Sequence, residues 1–151
     1  QELCDVVSYL FDVFHLLEEF KCSMTTMNGF LVEMSGRYNS NPYHNFPHAV
    51  DVTQTVYRVV MVPGLNLVLS PLEIFSMLVA SIGHDVGHPG VNNAFLVKIK
   101  HELAMRHNDK SPLENMHCSL LYEVLNDPSF NVLSGLTVSQ WRESRKIILN
   151  M

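Results

Sequence analysis

The sequence predicts an all-α fold, a compact bundle of several helices. Apolar residues recur at steps of three and four along almost the whole chain, which is the spacing of one helix face. Helix-start signals recur along the sequence, and no stretch shows the apolar–polar alternation of a half-buried strand. With 47% apolar and 17% charged residues among 151, the chain is able to bury a core.

The first half of the chain is predicted to hold three helices. The first runs without interruption to Phe20, with His15 inside it, and has an apolar face made of Leu3, Val6, Val7, Leu10, Phe14, Leu17 and Phe20. A second helix covers Thr25–Arg37, and a third runs from about Pro47 to Met61. Between them, residues 38–46 read YNSNPYHNF, a run of turn formers that predicts a joint.

Three helix starts in the second half are marked by capping residues. Ser70-Pro71-Leu72-Glu73 combines an N-cap serine, a proline at the first helical position and a capping-box glutamate. Ser111-Pro112-Leu113-Glu114 repeats this pattern and predicts a helix to about Asn126, and Thr137-Val138-Ser139-Gln140 opens the last helix. The helix after Ser70 is apolar on nearly every side, so we expect it at the centre of the packing.

Charge, cysteine content and hydropathy exclude several classes of function. The formal net charge of -5 argues against a nucleic-acid-binding surface. No apolar run approaches the roughly 20 residues that a membrane span needs. The three cysteines form no CxxC pair, so neither a disulfide framework nor a thiolate zinc site is predicted, and we expect a reducing, cytoplasmic setting.

Histidine is the residue type that points to chemistry. Histidine is the commonest metal ligand, and seven of the eight histidines lie between residues 44 and 117. His44 and His48 are one helical turn apart at the start of the third helix. Taken alone, this pair is interpreted as a cap residue and its packed neighbour.

The segment His84-Asp85-Val86-Gly87-His88-Pro89-Gly90 favours a metal site. It places an imidazole and a carboxylate together at the end of an apolar helix, where a divalent cation compensates the buried charge. The glycines and the proline permit a sharp turn that directs His88 toward the same pocket. The alternative is a helix-terminal histidine paired with a capping aspartate. Nitrogen and oxygen donors from His48, His84 and Asp85 suit Zn²⁺, Mg²⁺ or Mn²⁺ and require at least one further carboxylate.

Four sequence blocks, in this order, resemble the catalytic domain of class I cyclic nucleotide phosphodiesterases, a fold of the HD-domain type. The blocks are Tyr43-His44-Asn45, His48-Ala49-Val50-Asp51, HDVGHPGVNNAF at 84–95 and NDKSPLENMH at 108–117. The resemblance extends over residues 38–151 and is weaker before them. It implies that residues 1–151 are the N-terminal portion of such a domain, with the C-terminal portion absent and regulatory domains outside it. The last helix, which stops at Met151 without Gly or Pro, favours the same interpretation.

The resemblance implies metal-dependent hydrolysis of 3′,5′-cyclic nucleotides, cAMP or cGMP or both, to 5′-nucleoside monophosphates. It implies two divalent cations, Zn²⁺ and Mg²⁺ (or Mn²⁺), with a hydroxide bridging them as the nucleophile. His44 matches the general acid that protonates the ribose 3′-oxygen. The metal ligands matched are His48, His84 and Asp85; His88 and Glu114 match residues that hold water on the second ion; Tyr43, Asn45, Asn93 and His117 match positions that line or brace the pocket.

Several choices remain open at the level of sequence. The Glu114 carboxylate has two possible uses, the pocket or the capping box at the start of its own helix. Met116 and Gly87 depart from the family pattern, and the family's fourth zinc ligand and purine-binding residues have no counterpart in this chain. The alternative functions are another HD-type phosphohydrolase and a non-catalytic module that binds a metal or ligand.

Overall fold

The structure, a computed structural model, describes residues 2–64 and 67–150. Its regular secondary structure over these residues is helical, which confirms the all-α prediction. None of the described helices has the length and apolar character needed to cross a membrane. The predicted cut at Met151 lies outside the described residues. The helices are α1 (Glu2–Val13), α2 (Leu16–Glu19), α3 (Met24–Arg37), α4 (Phe46–Val60), α5 (Pro71–Gly83), α6 (Asn93–Lys98), α7 (Glu102–Arg106), α8 (Pro112–Leu125) and α9 (Val138–Asn150).

Helix α5 lies at the centre of the bundle, as its apolar sequence predicts. It packs against α4 on one side and α9 on another, and most of its side chains are buried. Phe75 on this helix meets the ring of Phe11 edge-on at 5.7 Å and the ring of Phe20 at 4.9 Å. The C-terminal end of α5 therefore emerges from the middle of the molecule.

The prediction of one continuous first helix is wrong, because the chain breaks at His15. This residue has a φ of 54° in the left-handed region, and its N–H donates to the Asp12 carbonyl at 2.8 Å. The break separates α1 from the short α2. It allows Phe14 to contact Tyr57 while Phe20 reaches the Phe75 ring, so tertiary packing overrides a helical periodicity that continues through the break.

Helices α6 and α7 have no counterpart among the predicted elements. They are short and surround a small apolar cluster of Leu96, Ala104 and Leu113 that is separate from the main core. His101 and His107 lie at the two ends of α7, and both are half-buried. The His101 Nδ1 atom accepts a hydrogen bond from the Leu103 N–H at 3.2 Å, so this imidazole is the helix cap.

The two Ser-Pro-Leu-Glu segments fold differently. Ser70 forms the predicted capping box with Glu73, and Thr137 forms the reciprocal bonds with Gln140. Ser111 instead adopts a φ of 44° and makes no side-chain cap. Its place is taken by Asn93, whose Oδ1 accepts from the Leu113 N–H at 3.0 Å.

We expect this difference to appear in stability. Ser70→Ala removes a side-chain cap and should lower the free energy of unfolding by about 1 kcal/mol. Ser111→Ala, the matched control, should change it by less than about 0.5 kcal/mol, because that hydroxyl caps nothing. Urea denaturation of both variants measures the difference. Equal losses of unfolding free energy in the two variants would contradict the finding that Asn93, and not Ser111, caps the start of α8.

Candidate metal centre and active site

A cavity of about 900 Å³ opens at the C-terminal end of α5. The loop after α5, the first turns of α8 and the last turn of α9 form its walls. Its polar lining residues include His44, His84, Asp85, His88, Asn93, Glu114 and His117. Seven of the ten residues that the sequence assigns to the site therefore meet in one cleft.

Asp85 stands at the centre of a group of imidazoles. Its Oδ2 lies 3.2 Å from His84 Nε2 and 3.5 Å from His48 Nε2, and its Oδ1 lies 3.8 Å from His117 Nε2. The three histidines come from the end of α5, from α4 and from α8. The Asp85 carboxylate thus lies close to imidazole nitrogen atoms from three separate helices.

Backbone carbonyls fix the orientation of two of these rings. His84 Nδ1 lies 2.8 Å from the Ser81 carbonyl oxygen, and His117 Nδ1 lies 2.7 Å from the Val86 carbonyl oxygen. A carbonyl only accepts, so both Nδ1 atoms carry the hydrogen. Nε2 is then the nitrogen that faces Asp85, and it is the atom that a neutral ring of this kind offers to a metal. In the protonated His84 ring, Nε2–H donates instead to the Asp85 carboxylate.

The donor set fits divalent cations. Two trios, His48–His84–Asp85 and Asp85–His88–His117, each hold their ligand atoms within 4.8 Å of one another. Donors about 2.0–2.1 Å from a tetrahedral zinc stand about 3.3 Å apart, close to the separations around Asp85 Oδ2. Because Asp85 belongs to both trios, its two oxygens are able to serve two neighbouring ions.

The electrostatics also suit a cation. Burial acts to raise the pKa of Asp85, but the hydrogen bond from His84 and the nearby histidines outweigh it and bring that pKa to about 2. Burial lowers the pKa of His48, His88 and His117, which favours neutral imidazoles. For His84, burial is outweighed by its contacts with Asp85 and the Ser81 carbonyl, so its pKa is raised.

His44 enters the cavity from the turn between α3 and α4. Its ring stacks on His88, with centroids 3.9 Å apart and planes 9° apart. His88 Nδ1 accepts from the Gly90 N–H at 3.0 Å, so that nitrogen is unprotonated. The structure therefore places a neutral imidazole face beneath the residue matched to the general acid.

Tyr43 and Asn45 are placed beside the cavity rather than in it. Tyr43 is 62% exposed, and its ring contacts His44 at 5.0 Å and His48 at 4.4 Å between centroids. The Asn45 Oδ1 atom accepts from the His48 N–H at 3.0 Å and caps α4. These two residues brace the histidines without lining the cleft.

Glu114 does not form the capping box that was one of the two predicted uses of its carboxylate. Its carboxylate accepts from Asn93 Nδ2 at 2.9 Å and 3.2 Å, and it does not return to the start of its own helix. Asn93 in turn caps α8 through its Oδ1. The pair joins α6 to α8 at the rim of the cleft.

Gly87, one of the two departures from the family pattern, is explained by its surroundings. Its φ of +71° favours glycine, and a Cβ atom there would lie 2.5 Å from Leu120 Cδ1 and 4.0 Å from Met116 Cε. Leu120 thus fills the space that a larger residue at position 87 would need. Met116, the other departure, lies against the same loop.

Sequence reasoning missed three side chains that hold the site loops. Tyr38 Oη donates to the Ile82 carbonyl at 2.9 Å and accepts from the Asp85 N–H at 3.4 Å, and burial raises the pKa of this phenol. Asn39 and Asn41 donate to carbonyls of the loop after α5. Nothing in the pattern YNSNPYHNF separates these asparagines from ordinary turn formers.

The family described as 3′5′-cyclic nucleotide phosphodiesterase matches residues 43–151, more than half of the chain and all of the site. The chain belongs to this family. Among its curated relatives, the 3′,5′-cyclic-nucleotide phosphodiesterase regA of Dictyostelium discoideum is 36% identical over 99% of the chain. The high affinity cGMP-specific 3′,5′-cyclic phosphodiesterase 9A of Mus musculus is 32% identical over 99%. The probable 3′,5′-cyclic-AMP phosphodiesterase pde-4 of Caenorhabditis elegans is 35% identical over 91%.

Solved structures agree with these relatives. The phosphodiesterase domain of the RhoPDE fusion protein from the choanoflagellate Salpingoeca rosetta superposes with a TM-score of 0.93 at 32% identity, covering 99% of this chain and 47% of that one. The chain spans 19% of the regA protein and 28% of phosphodiesterase 9A. The family resemblance and the fold type expected from the four sequence blocks are both confirmed.

The shared position of Asp85 predicts a specific loss of metal. Asp85→Asn in the full-length protein should weaken Zn²⁺ binding by more than the roughly 10- to 100-fold expected for a supporting residue, because both trios lose a charged candidate ligand. Metal analysis after dialysis at a fixed free Zn²⁺ concentration measures this. Asp51→Asn is the matched control, an exposed carboxylate on the helix that carries His48. Equal metal content in the two variants would rule out the Asp85 site.

Proposed function

We propose that this chain supplies the metal ligands and the general acid of an enzyme that hydrolyses 3′,5′-cyclic nucleotides, cAMP or cGMP or both, to 5′-nucleoside monophosphates. The observation that carries the proposal is the position of His44 in the same cleft as the cluster around Asp85. The relatives support the substrate class, since one is named as cGMP-specific and another as a probable cyclic-AMP phosphodiesterase.

His48, His84 and Asp85 would hold Zn²⁺, with one further ligand from outside the described trio. The free oxygen of Asp85 would hold Mg²⁺ or Mn²⁺, with His88 and Glu114 holding its water molecules. When bound, such cations lower the pKa of coordinated water and neutralise phosphate charge. They also explain how an acidic chain accepts an anionic substrate without a basic clamp.

His44 would provide the proton for the leaving group. Hydrolysis forms one bond from a water oxygen to phosphorus and breaks the bond from phosphorus to the ribose 3′-oxygen. The protonated His44 imidazole donates to that oxygen, so the ribose leaves as an alcohol rather than an alkoxide. The water loses one proton, and His44 takes one up from solvent to complete the cycle.

Two neighbours keep His44 available for this transfer. The stacked His88 ring accepts from Gly90, so it presents a neutral face and not a second positive charge. The Tyr43 ring also contacts His44, with centroids 5.0 Å apart and ring planes at 89°. The His44 imidazole therefore contacts two rings and lines the cleft.

The setting of the enzyme is also a proposal. Residues 1–151 remain a predicted N-terminal portion of a catalytic domain, with regulatory domains outside it. The free state of Cys4, Cys22 and Cys118 supports a reducing, cytoplasmic location.

His44→Ala in the full-length protein should reduce kcat for cyclic nucleotide roughly 10²- to 10⁴-fold with metal content retained. The reason is that the ribose 3′-oxygen then leaves without a proton donor. His107→Ala, at the end of α7, is the control and should keep turnover. Hydrolysis of other phosphate esters without cyclic nucleotide turnover would favour a different HD-type phosphohydrolase, and bound metal without any turnover would favour a non-catalytic module.

A further inference from the structure

Asn41 links two segments of the site through one amide group. Its Nδ2 donates to the His44 carbonyl at 3.1 Å and to the His88 carbonyl at 2.7 Å. Both partners are acceptors, so the orientation of the amide is fixed with nitrogen toward them. The first carbonyl belongs to the turn before α4 and the second to the loop after α5.

The two residues joined by this amide are the two whose rings stack. His44 and His88 are 44 positions apart in the sequence and belong to different segments, yet their ring planes are within 9° at 3.9 Å. A bond to each main chain fixes the separation of the two backbones. The ring overlap depends on that separation, because each ring is carried by one of the two backbones that Asn41 joins.

Asn41 is itself held from two sides. The Asn45 Nδ2 donates to the Asn41 carbonyl at 2.9 Å, and the Asn41 N–H donates to the Asn39 carbonyl at 2.9 Å. The Asn41 Oδ1 lies against Gly90, where an added Cβ atom would stand 3.3 Å away. The side chain thus has one defined position under the loop.

Asn39 provides a natural comparison. Its Nδ2 donates to the Gly87 and His88 carbonyls at 3.2 Å and 2.9 Å, so it docks on the same loop. Among the described residues, the Asn39 side chain makes no hydrogen bond to His44. Asn39 fixes the loop after α5, whereas Asn41 fixes that loop relative to the residue proposed as the acid.

We propose that Asn41 is a positioning residue that sets the place of His44 over the substrate's leaving oxygen, an inference that rests on the proposed function of His44. Its loss displaces the acid while leaving the ligands on α4, α5 and α8 where they are. The expected signature is a defect in leaving-group protonation alone.

The test compares two substrates in the full-length protein. Asn41→Asp keeps the size of the side chain but turns a carboxylate toward two carbonyls. It should lower kcat for cyclic nucleotide about 10-fold or more while KM stays within about 3-fold. Bis(p-nitrophenyl) phosphate, whose nitrophenolate leaves without a proton, should be hydrolysed at close to the unaltered rate. Asn39→Asp should lower the rate of hydrolysis of both substrates by a similar factor.

A double variant strengthens the assignment. In a His44→Ala background, Asn41→Asp should lower kcat for cyclic nucleotide by less than a further factor of about 2, because both changes remove protonation of the leaving group by His44. The proposal would be overturned if Asn41→Asp slowed hydrolysis of both substrates equally. It would also be overturned if the effects of Asn41→Asp and His44→Ala on kcat were fully additive.

A readout without turnover separates this inference from the proposed function. Imidazole ¹H–¹⁵N spectra of Asn41→Asp should show shifted His44 signals and unshifted His84 signals, whatever the protein hydrolyses. Unshifted His44 signals would reject the positioning role even in an active enzyme. Absence of cyclic nucleotide turnover in the unaltered protein would reject the proposed function and leave the spectroscopic result to decide on Asn41.

Discussion

The placement of a carboxylate at the end of the most apolar helix is the constraint on which the rest of the structure depends. The Asp85 side chain is only 16% exposed, and a charge in such surroundings is costly unless partners compensate it. Here the partners are imidazoles from α4, α5 and α8. The three helices must therefore meet at this point, and the cleft is the consequence.

Helix α5 carries this arrangement because polar contacts fix its register in an otherwise apolar core. Ser76 donates to Ser144 on α9 at 2.8 Å, and the hydroxyls of Thr53 on α4 and Ser81 are 2.9 Å apart. Apolar packing has no direction of its own, so these buried bonds stop the helices from sliding. Ser81 also offers its carbonyl to His84, which makes the last turn of α5 part of both the core and the site.

The sequence predicts most of the fold where local signals and tertiary packing agree. The central helix and the Ser70 cap are of this kind, because capping residues and apolar positions act within one helix. The break at His15 and the missing Ser111 cap are not. In both cases a distant residue, Phe75 for the first and Asn93 for the second, offers a contact that outweighs an adequate local signal.

The site residues also fall into those predicted from a local sequence pattern and those placed by tertiary contacts, and the two groups have different proposed functions. His84, Asp85 and His88 follow one another on a single turn, so their pattern alone predicted a shared pocket. His44 reaches that pocket only because the turn before α4 docks on backbone carbonyls, which carry no sequence signature. The donors for a cation are thus set largely by one helix end, whereas the residue proposed as the acid is set by tertiary contacts. Substitutions in the turn are able to tune proton transfer separately from metal binding.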